Sequence, residues 1–281
     1  LSRLNSAKTK GMRACHLSMD KEDRYVFVSG FHDGKATVLR LRKDGGVGEI
    51  VDGVFHKGLG SVAERNFRPH VNCVNITPDQ KYLCAVDLGV DQVKIYKFND
   101  ETGKITLVDM LRCELESAPR IIKFSPDGRF AYLICELKNY ISVYSYKDGP
   151  RGPVFELVQT ISTLNEYHSK GSAACVLRFS RDWNYVLCSN AGDNSVGIFK
   201  IDRVTGMLEK ICILPISGDY PKAADFFPDN RHIMALNHES NTMTIFRINY
   251  EKKYFSLWGK PLKVETPNCV LVSEIEEAPK Q

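Results

Sequence analysis

The 281-residue sequence lacks most features that would place it in a special class of protein. It has no run of eighteen or more consecutive apolar residues, which argues against a membrane-spanning helix. Its 38 basic and 34 acidic residues are interspersed and leave a net charge of only +4, too weak a basic field for binding nucleic acid. No signal peptide is recognisable, although the chain opens on Leu1 rather than Met. We therefore expect a globular protein without nucleic-acid or membrane partners.

The nine cysteines lack the spacing of a metal or redox site, since no C-x-x-C pair occurs. Several, such as Cys73, Cys84 and Cys188, lie inside apolar, strand-like runs. Such thiols are typical of small buried side chains in a reducing compartment, so we predict a cytoplasmic protein. His and carboxylate residues do not cluster at ligand spacing either, and we expect chemistry without a metal or a cofactor.

What the sequence does contain is an internal repeat. A Ser, Thr or Phe, any residue and an Asp precede a turn and an apolar run, as in TPDQKYLCAVD (77–87) and SPDGRFAYLIC (125–135). A looser copy begins at Ser18. The aspartates of the four clear copies are separated by 48, 55 and 47 residues; they are Asp79, Asp127, Asp182 and Asp229.

Each repeat holds four short runs rich in Val, Ile, Tyr and Phe, and turn residues separate the runs. Four antiparallel strands repeated at this period are the signature of a β-propeller blade. We therefore predict an all-β protein with a single β-propeller domain over residues 1–281. The full repeats lie near residues 11–50, 68–110, 118–160, 172–216 and 220–262, and a closing strand follows over 267–273.

Blade geometry predicts where functional side chains gather. The first strand of a blade starts and the second strand ends on the same side, because the repeated turn reverses the chain between them. The predicted residues at strand starts are Asn72, Arg120, Cys175 and Lys222. Those at strand ends are Phe31, Leu88, Glu136, Ala191 and His238. We expect both sets to line one mouth of a central channel, together with His70 and the loops 55–69 and 166–171.

Glu136 ends the apolar run FAYLICE (130–136), where a carboxylate needs a partner if it is buried. Arg120 belongs to the same hairpin, so we predict that the two side chains pair at the mouth. An ion pair with a purely structural role is the alternative. Other roles are open for the neighbouring residues too: His70 as a strand-start residue bonded to backbone, and Lys222 and His238 as ordinary rim charges. Cys175 is predicted to be a small side chain that fills space and not a nucleophile, because no base can be assigned beside it.

The repeats resemble one known family, the bacterial lactonases with a seven-bladed propeller, which include 6-phosphogluconolactonase and carboxymuconate-cyclase-like proteins. The stretches that carry the resemblance are RPHVN (68–72), DLGVDQVKIY (87–96), APRI (118–121), EL (136–137), NAGDNSV (190–196) and PNCV (267–270). The resemblance covers essentially the whole chain and implies a seven-bladed fold. Family members are usually longer, so we expect this chain to be a fragment or an N-terminally shortened form.

The resemblance also implies a reaction, hydrolysis of an acidic sugar lactone such as 6-phosphogluconolactone in carbohydrate metabolism. The family's proposed active site uses two histidines, an arginine, a glutamate and a later arginine. The matching residues here are His70, Arg120 and Glu136. Three positions depart from the family pattern: Asn72 replaces the second histidine, Ile121 the histidine after the arginine, and Ala191 the later arginine.

Two functional hypotheses follow. In the first, the protein is a lactone hydrolase in which Glu136 or His70 activates water and Arg120 stabilises the oxyanion or clamps a carboxylate. Asn72, Lys222 and His238 then contact the substrate, with Lys222 on a phosphate group. In the second, the protein is a non-catalytic ligand-binding or scaffold propeller that has lost turnover. The sequence leaves the identity of the lactone and the oligomeric state open.

Overall fold

The computed structural model describes residues 2–60, 67–167 and 171–273. The chain divides into two compact units, Leu1–Thr160 and Ile161–Gln281, and the prediction of one domain stays a prediction. Within the described ranges the strands form five antiparallel sheets, and the helical content is one turn of 3-10 helix at Leu88–Val90. The predicted all-β class is therefore confirmed. None of the helical structure in these ranges is long and apolar enough to cross a membrane.

The first unit contains three sheets, each with its strands in sequence order. The first sheet consists of β1 (Ala14–Met19), β2 (Tyr25–Gly30), β3 (Lys35–Leu41) and β4 (Val47–Phe55). The second consists of β5 (Val71–Ile76), β6 (Tyr82–Asp87), β7 (Gln92–Phe98) and β8 (Ile105–Arg112). The third consists of β9 (Pro119–Phe124), β10 (Phe130–Cys135), β11 (Tyr140–Gly149) and β12 (Gly152–Ser162). Each sheet covers one predicted repeat.

The second unit contains the remaining two sheets. The fourth sheet consists of β13 (Ala173–Phe179), β14 (Tyr185–Ala191), β15 (Ser195–Ile201) and β16 (Leu208–Pro215). The fifth consists of β17 (Pro221–Phe226), β18 (His232–Asn237), β19 (Thr242–Asn249) and β20 (Tyr254–Leu257), with the short β21 (Leu262–Lys263) also pairing with β19.

The predicted closing strand over 267–273 is wrong, since this segment has no strand structure. A strand exists only where ladder hydrogen bonds join it to a neighbour, and no described segment bonds to these residues in that way. The pairing of Leu262 with Met243 and of Lys263 with Thr242 ends before this segment begins.

The repeated Ser/Thr-x-Asp motif forms the turn between the first and second strands of a sheet. In the third sheet, the hydroxyl of Ser125 accepts a hydrogen bond from the backbone N–H of Phe130 at 3.0 Å and donates to Asp127 at 2.6 Å. The same two bonds recur at Thr77 and Ser180. Because the side chain occupies backbone donors that the ladder cannot reach, this motif fixes the turn locally.

In the first sheet an aspartate takes the place of the hydroxyl residue. The carboxylate of Asp20 accepts from the backbone N–H of Tyr25 at 2.6 Å and of Arg24 at 2.8 Å. Asp20 thus corresponds to the Ser or Thr of the other copies. An alignment that starts the copy at Ser18 instead matches Asp20 with their Asp. The first copy of the repeat is therefore shifted by two residues from the predicted register.

Neighbouring sheets within the first unit bury apolar faces against each other. The second strands are the most deeply buried, and β6 and β10 are buried at every position. Cys73, Ile95, Leu133 and Tyr146 belong to the core between the second and third sheets. Burial on both faces explains why these strands read as unbroken apolar runs rather than as an alternating pattern.

A β-bulge interrupts the pairing of the first and second strands at the same repeat position in every described sheet. The residues skipped by the ladder are Cys15, Asn72, Arg120, Cys175 and Lys222. A bulge leaves its extra residue without a partner across the ladder and redirects the side chain. The repeat therefore presents one specially placed side chain per sheet near the start of its first strand.

Candidate active site

The six predicted site residues are distributed over both units. His70, Asn72, Arg120 and Glu136 belong to the first unit, and Lys222 and His238 to the second. The bulge accounts for three of them, since Asn72, Arg120 and Lys222 are the skipped residues of their sheets.

Arg120 and Glu136 form an ion pair in the third sheet, in which Arg120 Nη1 donates to Glu136 Oε2. Glu136 directly follows β10, and its backbone N–H bonds to the carbonyl of Ala118 at 2.8 Å. The carboxylate is nearly inaccessible, with 3% of the side chain exposed, whereas 27% of the Arg120 side chain is exposed. The pairing predicted from the hairpin is therefore present, and its catalytic role stays a prediction.

The backbone around Arg120 is held on both sides. Asp91, in the turn after the 3-10 helix, accepts hydrogen bonds from the backbone N–H of Ala118 and of Glu116, both at 2.8 Å. From the neighbouring sheet, the side-chain amide of Asn72 donates to the carbonyl of Arg120 at 3.0 Å. The bulge residue of the second sheet thus holds the backbone of the bulge residue of the third sheet. The predicted contact of Asn72 with substrate stays a prediction beside this structural one.

His70 is buried just before β5, and its ring is oriented by three neighbours. Nδ1 lies 2.8 Å from the carbonyl of Phe31, whose ring stacks on the imidazole with centroids 4.4 Å apart. Phe67 contacts the ring edge-on at 5.9 Å. Because a carbonyl only accepts hydrogen bonds, Nδ1 carries the proton and Nε2 of the neutral ring keeps its lone pair. This is the tautomer that a base acting through Nε2 requires.

A second buried carboxylate has a histidine as its partner, and this contact was not predicted from the sequence. His56 Nδ1 lies 2.7 Å from Asp87 Oδ2, and both side chains are fully buried. Burial lowers the pKa of His56, while the hydrogen bond and charge of Asp87 act in the opposite direction. A signal was present, since Asp87 ends the buried run YLCAVD (82–87) just as Glu136 ends its own run.

Cys15 is the bulge residue that was not predicted, because no strand-start residue was assigned to the looser first copy of the repeat. The residue is exposed as a whole, but its thiol is partly covered and lies 3.2 Å from the hydroxyl of Ser29 and 3.5 Å from the carbonyl of Asn72. Partial desolvation raises the pKa of Cys15, whereas the hydrogen bond to Ser29 and the charge of Arg120 act to lower it. Centring the repeat on Asp20 would have found this residue.

In the second unit, Lys222 and His238 have local partners. Lys222 Nζ lies 5.7 Å from the centre of the Tyr220 ring, and His238 Nδ1 lies 3.3 Å from the carbonyl of Pro267. Cys175 is buried, which fits the filler role. The predicted substrate contacts of Lys222 and His238 stay predictions.

Two of the family departures occupy apolar surroundings. Ala191 is fully buried, and Ile121 packs against the core between the second and third sheets. Parts of the two predicted loops, residues 61–66 and 168–170, lie outside the described residues. Among the residues that are described, no group of three or more His, Cys, Asp or Glu side chains could hold a metal ion.

Repeated four-stranded antiparallel sheets whose strands follow one another in sequence order are typical of the blades of a β-propeller protein. The family model "Lactonase, 7-bladed beta-propeller" matches residues 1–272. The chain therefore belongs to this lactonase family and is a lactone hydrolase.

Individual relatives agree with this assignment. The 6-phosphogluconolactonase of Bacillus subtilis is 28% identical over 270 residues, which cover 96% of this chain and 76% of the relative. An uncharacterized protein of Lactococcus lactis subsp. cremoris is 31% identical over 268 residues, covering 95% and 77%. Among solved structures, the periplasmic gluconolactonase of Pseudomonas aeruginosa has a TM-score of 0.82 at 26% identity, covering 90% of this chain and 71% of that one.

Proposed function

We propose that the protein hydrolyses an acidic sugar lactone without a metal ion, and that 6-phosphogluconolactone is the first substrate to test. The observation that carries the proposal is the Arg120–Glu136 pair, in which a bulge places a partly exposed guanidinium beside a buried carboxylate. The names of the Bacillus and Pseudomonas relatives support a sugar lactone as the substrate class.

The proposed roles follow the charges that develop during hydrolysis. Water attacks the lactone carbonyl carbon and gives a proton to the base, and the carbonyl oxygen becomes an oxyanion. Arg120 stabilises that oxyanion or holds the substrate's acidic group, since a fixed cation is most effective where negative charge appears. The oxyanion then re-forms the C=O bond as the ring C–O bond breaks, and the alkoxide that leaves takes the proton held by the base, which gives the hydroxy acid and restores the base.

Two groups are suitable as the base, Glu136 and His70. Glu136 has the closer connection to Arg120 through their shared hydrogen bond. His70 has an oriented ring in which Nδ1 donates to the carbonyl of Phe31, so Nε2 is the nitrogen that could accept a proton. Lys222 and His238 are proposed substrate contacts on the strength of their repeat positions, with Lys222 occupying in its sheet the bulge that Arg120 occupies in the third.

The test is hydrolysis of a lactone panel, with 6-phosphogluconolactone and the neutral gluconolactone side by side. We expect Arg120→Ala and Glu136→Gln to lower kcat/KM by about 100-fold or more. The matched control is Arg178→Ala in the second unit, where Arg178 Nε lies 3.5 Å from Asp225 and 26% of its side chain is exposed. Equal rates for the wild type and both site variants would remove the proposal, and so would an equal loss in the control.

Two further parts of the proposal have their own tests. Chelation with EDTA should leave the rate unchanged, because the described residues offer no metal-binding group of three or more ligands. We also propose a cytoplasmic location, supported by nine cysteines that are all free thiols. Since the Pseudomonas relative is described as periplasmic, fractionation of the source cells decides the location.

The alternative drawn from the sequence, a binding protein without turnover, is opposed by the family match over residues 1–272, and it has one observation in its favour. It is favoured by the loss of cationic and imidazole groups at Asn72, Ile121 and Ala191, of which Ala191 is fully buried and presents no polar atom. Calorimetric binding of 6-phosphogluconate with no hydrolysis of any lactone in the panel would favour it.

A further inference from the structure

The carboxylate of Asp87 joins three segments of the first unit. Oδ2 lies 2.7 Å from His56 Nδ1, just after β4. Oδ1 accepts from the backbone N–H of His70 at 2.8 Å and of Gly89, in the 3-10 turn, at 3.1 Å. Both the Asp87 and the His56 side chains are fully buried. A single desolvated carboxylate therefore fixes the backbone at the point where His70 enters the strand.

The turn that follows Asp87 is packed tightly against the same segment. A Cβ on Gly89 would lie 1.7 Å from the carbonyl oxygen of Arg68 and 2.9 Å from Cδ2 of His70, so only glycine fits here. The backbone N–H of Leu88 also donates to the carbonyl of His70 at 3.0 Å. Both backbone polar groups of His70 are thus bonded to residues 87 and 88, and the position of its ring depends on that turn.

The orientation of His56 is fixed by its partner. Because the carboxylate of Asp87 accepts, Nδ1 carries the proton, and Nε2 is buried without a hydrogen-bond partner among the described residues. Burial, with a smaller contribution from the charge of Lys94, lowers the pKa of His56, although the hydrogen bond and charge of Asp87 act to raise it. Lys94 Nζ donates to the carbonyl of Lys57 at 3.3 Å. The ring of Tyr96 is an aromatic neighbour of the His56 ring, and the two ring centroids lie 6.1 Å apart.

An apolar side chain would fill this position without leaving a buried nitrogen unpaired. The imidazole contributes something that an apolar residue cannot, namely one hydrogen bond that orients Asp87. We propose that His56 and Asp87 are a buried positioning pair: His56 fixes the carboxylate, and the carboxylate fixes the backbone from which His70 presents Nε2 to the substrate. This inference rests on the proposed hydrolysis, in which His70 takes part.

The first measurement is kcat and KM for the lactone that the wild type hydrolyses. His56→Leu should lower kcat by about 10-fold to 100-fold at a nearly constant KM, since small misplacements of a reacting group have effects of that order. His56→Asn, whose amide N–H can take the place of Nδ1–H, should recover most of the loss. The matched control is His232→Leu, because His232 Nδ1 makes the same kind of contact with Asp229, at 2.6 Å, in the fifth sheet. We expect no change in kcat there.

A double-mutant cycle tests whether His56 acts through His70. In a His70→Gln background, His56→Leu should have no further effect on kcat. Additive losses would overturn the proposal, and so would an equal loss in His56→Asn and His56→Leu. The imidazole 15N shifts of His70 give a readout independent of activity. The wild type should show a single tautomer protonated at Nδ1, and His56→Leu a mixture of tautomers.

These outcomes separate the two proposals. If the wild type hydrolyses no lactone, the proposed function fails, and the 15N spectra still decide whether His56 orients His70. If the wild type is active and the His70 shifts are identical in His56→Leu, the positioning role is wrong while the hydrolase assignment stands. If His56→Leu does not fold, His56→Phe, which keeps a flat ring but has no N–H donor for Asp87, takes its place in the same two readouts.

Discussion

The two members of the Arg120–Glu136 pair should differ in what their loss does to stability. Arg120→Met leaves a carboxylate that is 3% exposed without its guanidinium. Breaking a fully buried pair costs about 3 to 5 kcal/mol, and 27% exposure of the Arg120 side chain reduces this to about 2 to 3 kcal/mol through solvent screening. Glu136→Gln leaves a guanidinium that water can reach and keeps a side-chain oxygen as acceptor, so about 1 kcal/mol is expected.

The double variant Arg120→Met/Glu136→Gln distinguishes this reasoning from a simple loss of contacts. It removes both charges together, so no carboxylate is left buried beside an apolar side chain. Its cost should be no more than that of Arg120→Met alone, which corresponds to a coupling energy of about 1 kcal/mol or more.

Urea unfolding of the four proteins at constant pH measures these differences, with the slope of the transition checked for constancy. The control cycle is Arg178→Met with Asp225→Asn, where 26% and 14% of the two side chains are exposed and the closest N–O distance is 3.5 Å. There the two single variants should cost nearly the same. If Glu136→Gln destabilises the protein as much as Arg120→Met does, burial of the carboxylate does not set the cost of breaking the pair.

Three further outcomes are expected. A thiol reagent should label Cys15 and Cys269 in the native protein, because both residues are exposed, and all nine cysteines in denaturant. Burial raises the pKa of the Cys188 thiol to about 12, so labelling of Cys188 in the native protein would contradict this expectation. The pKa of His56 is lowered in the folded state, so the unfolded chain binds more protons than the folded one below about pH 6.5. The free energy of unfolding of the wild type should therefore fall on acidification, and that of His56→Asn should fall less. Ser125→Ala should cost about 1 to 2 kcal/mol in urea unfolding, because it leaves the turn N–H without its acceptor; a cost near zero would show that the turn does not need it.

The fold could be predicted because its turns are fixed by local chemistry. The hydroxyl of Ser125 bonds an N–H five residues later, and this repeated bond leaves a repeated sequence pattern. The turn of the first copy was not recognised in the right register, because Asp20 supplies the acceptor there. The hydrogen bond is the same, but the residue type differs from the Ser or Thr of the other copies. The segment 267–273 failed for another reason. Its composition is that of a strand, but strand structure depends on a neighbour and not on composition.

Within the site, the contacts that could be predicted are those inside one hairpin. Arg120 and Glu136 are 16 residues apart on β9 and the end of β10, so counting along two paired strands brings them together. His56 and Asp87 belong to different sheets, and their contact depends on how the first sheet packs against the second. Periodicity within a repeat carries no information about such a contact. A carboxylate at the end of a buried run shows that a partner exists, but not which one.

The bulges explain how one repeat can carry different chemistry in each sheet. A residue skipped by the ladder makes no side-chain pair across the strands, so its identity is less constrained by the sheet than that of its neighbours. The backbone device is constant, while the side chain is a thiol at Cys15, an amide at Asn72 and a guanidinium at Arg120. Position is thus set by the fold, and reactivity by the residue placed there. Even so, the bulges are not independent, because the Asn72 amide donates to the carbonyl of Arg120, and a substitution of Asn72 removes a hydrogen bond that holds the backbone of the next bulge.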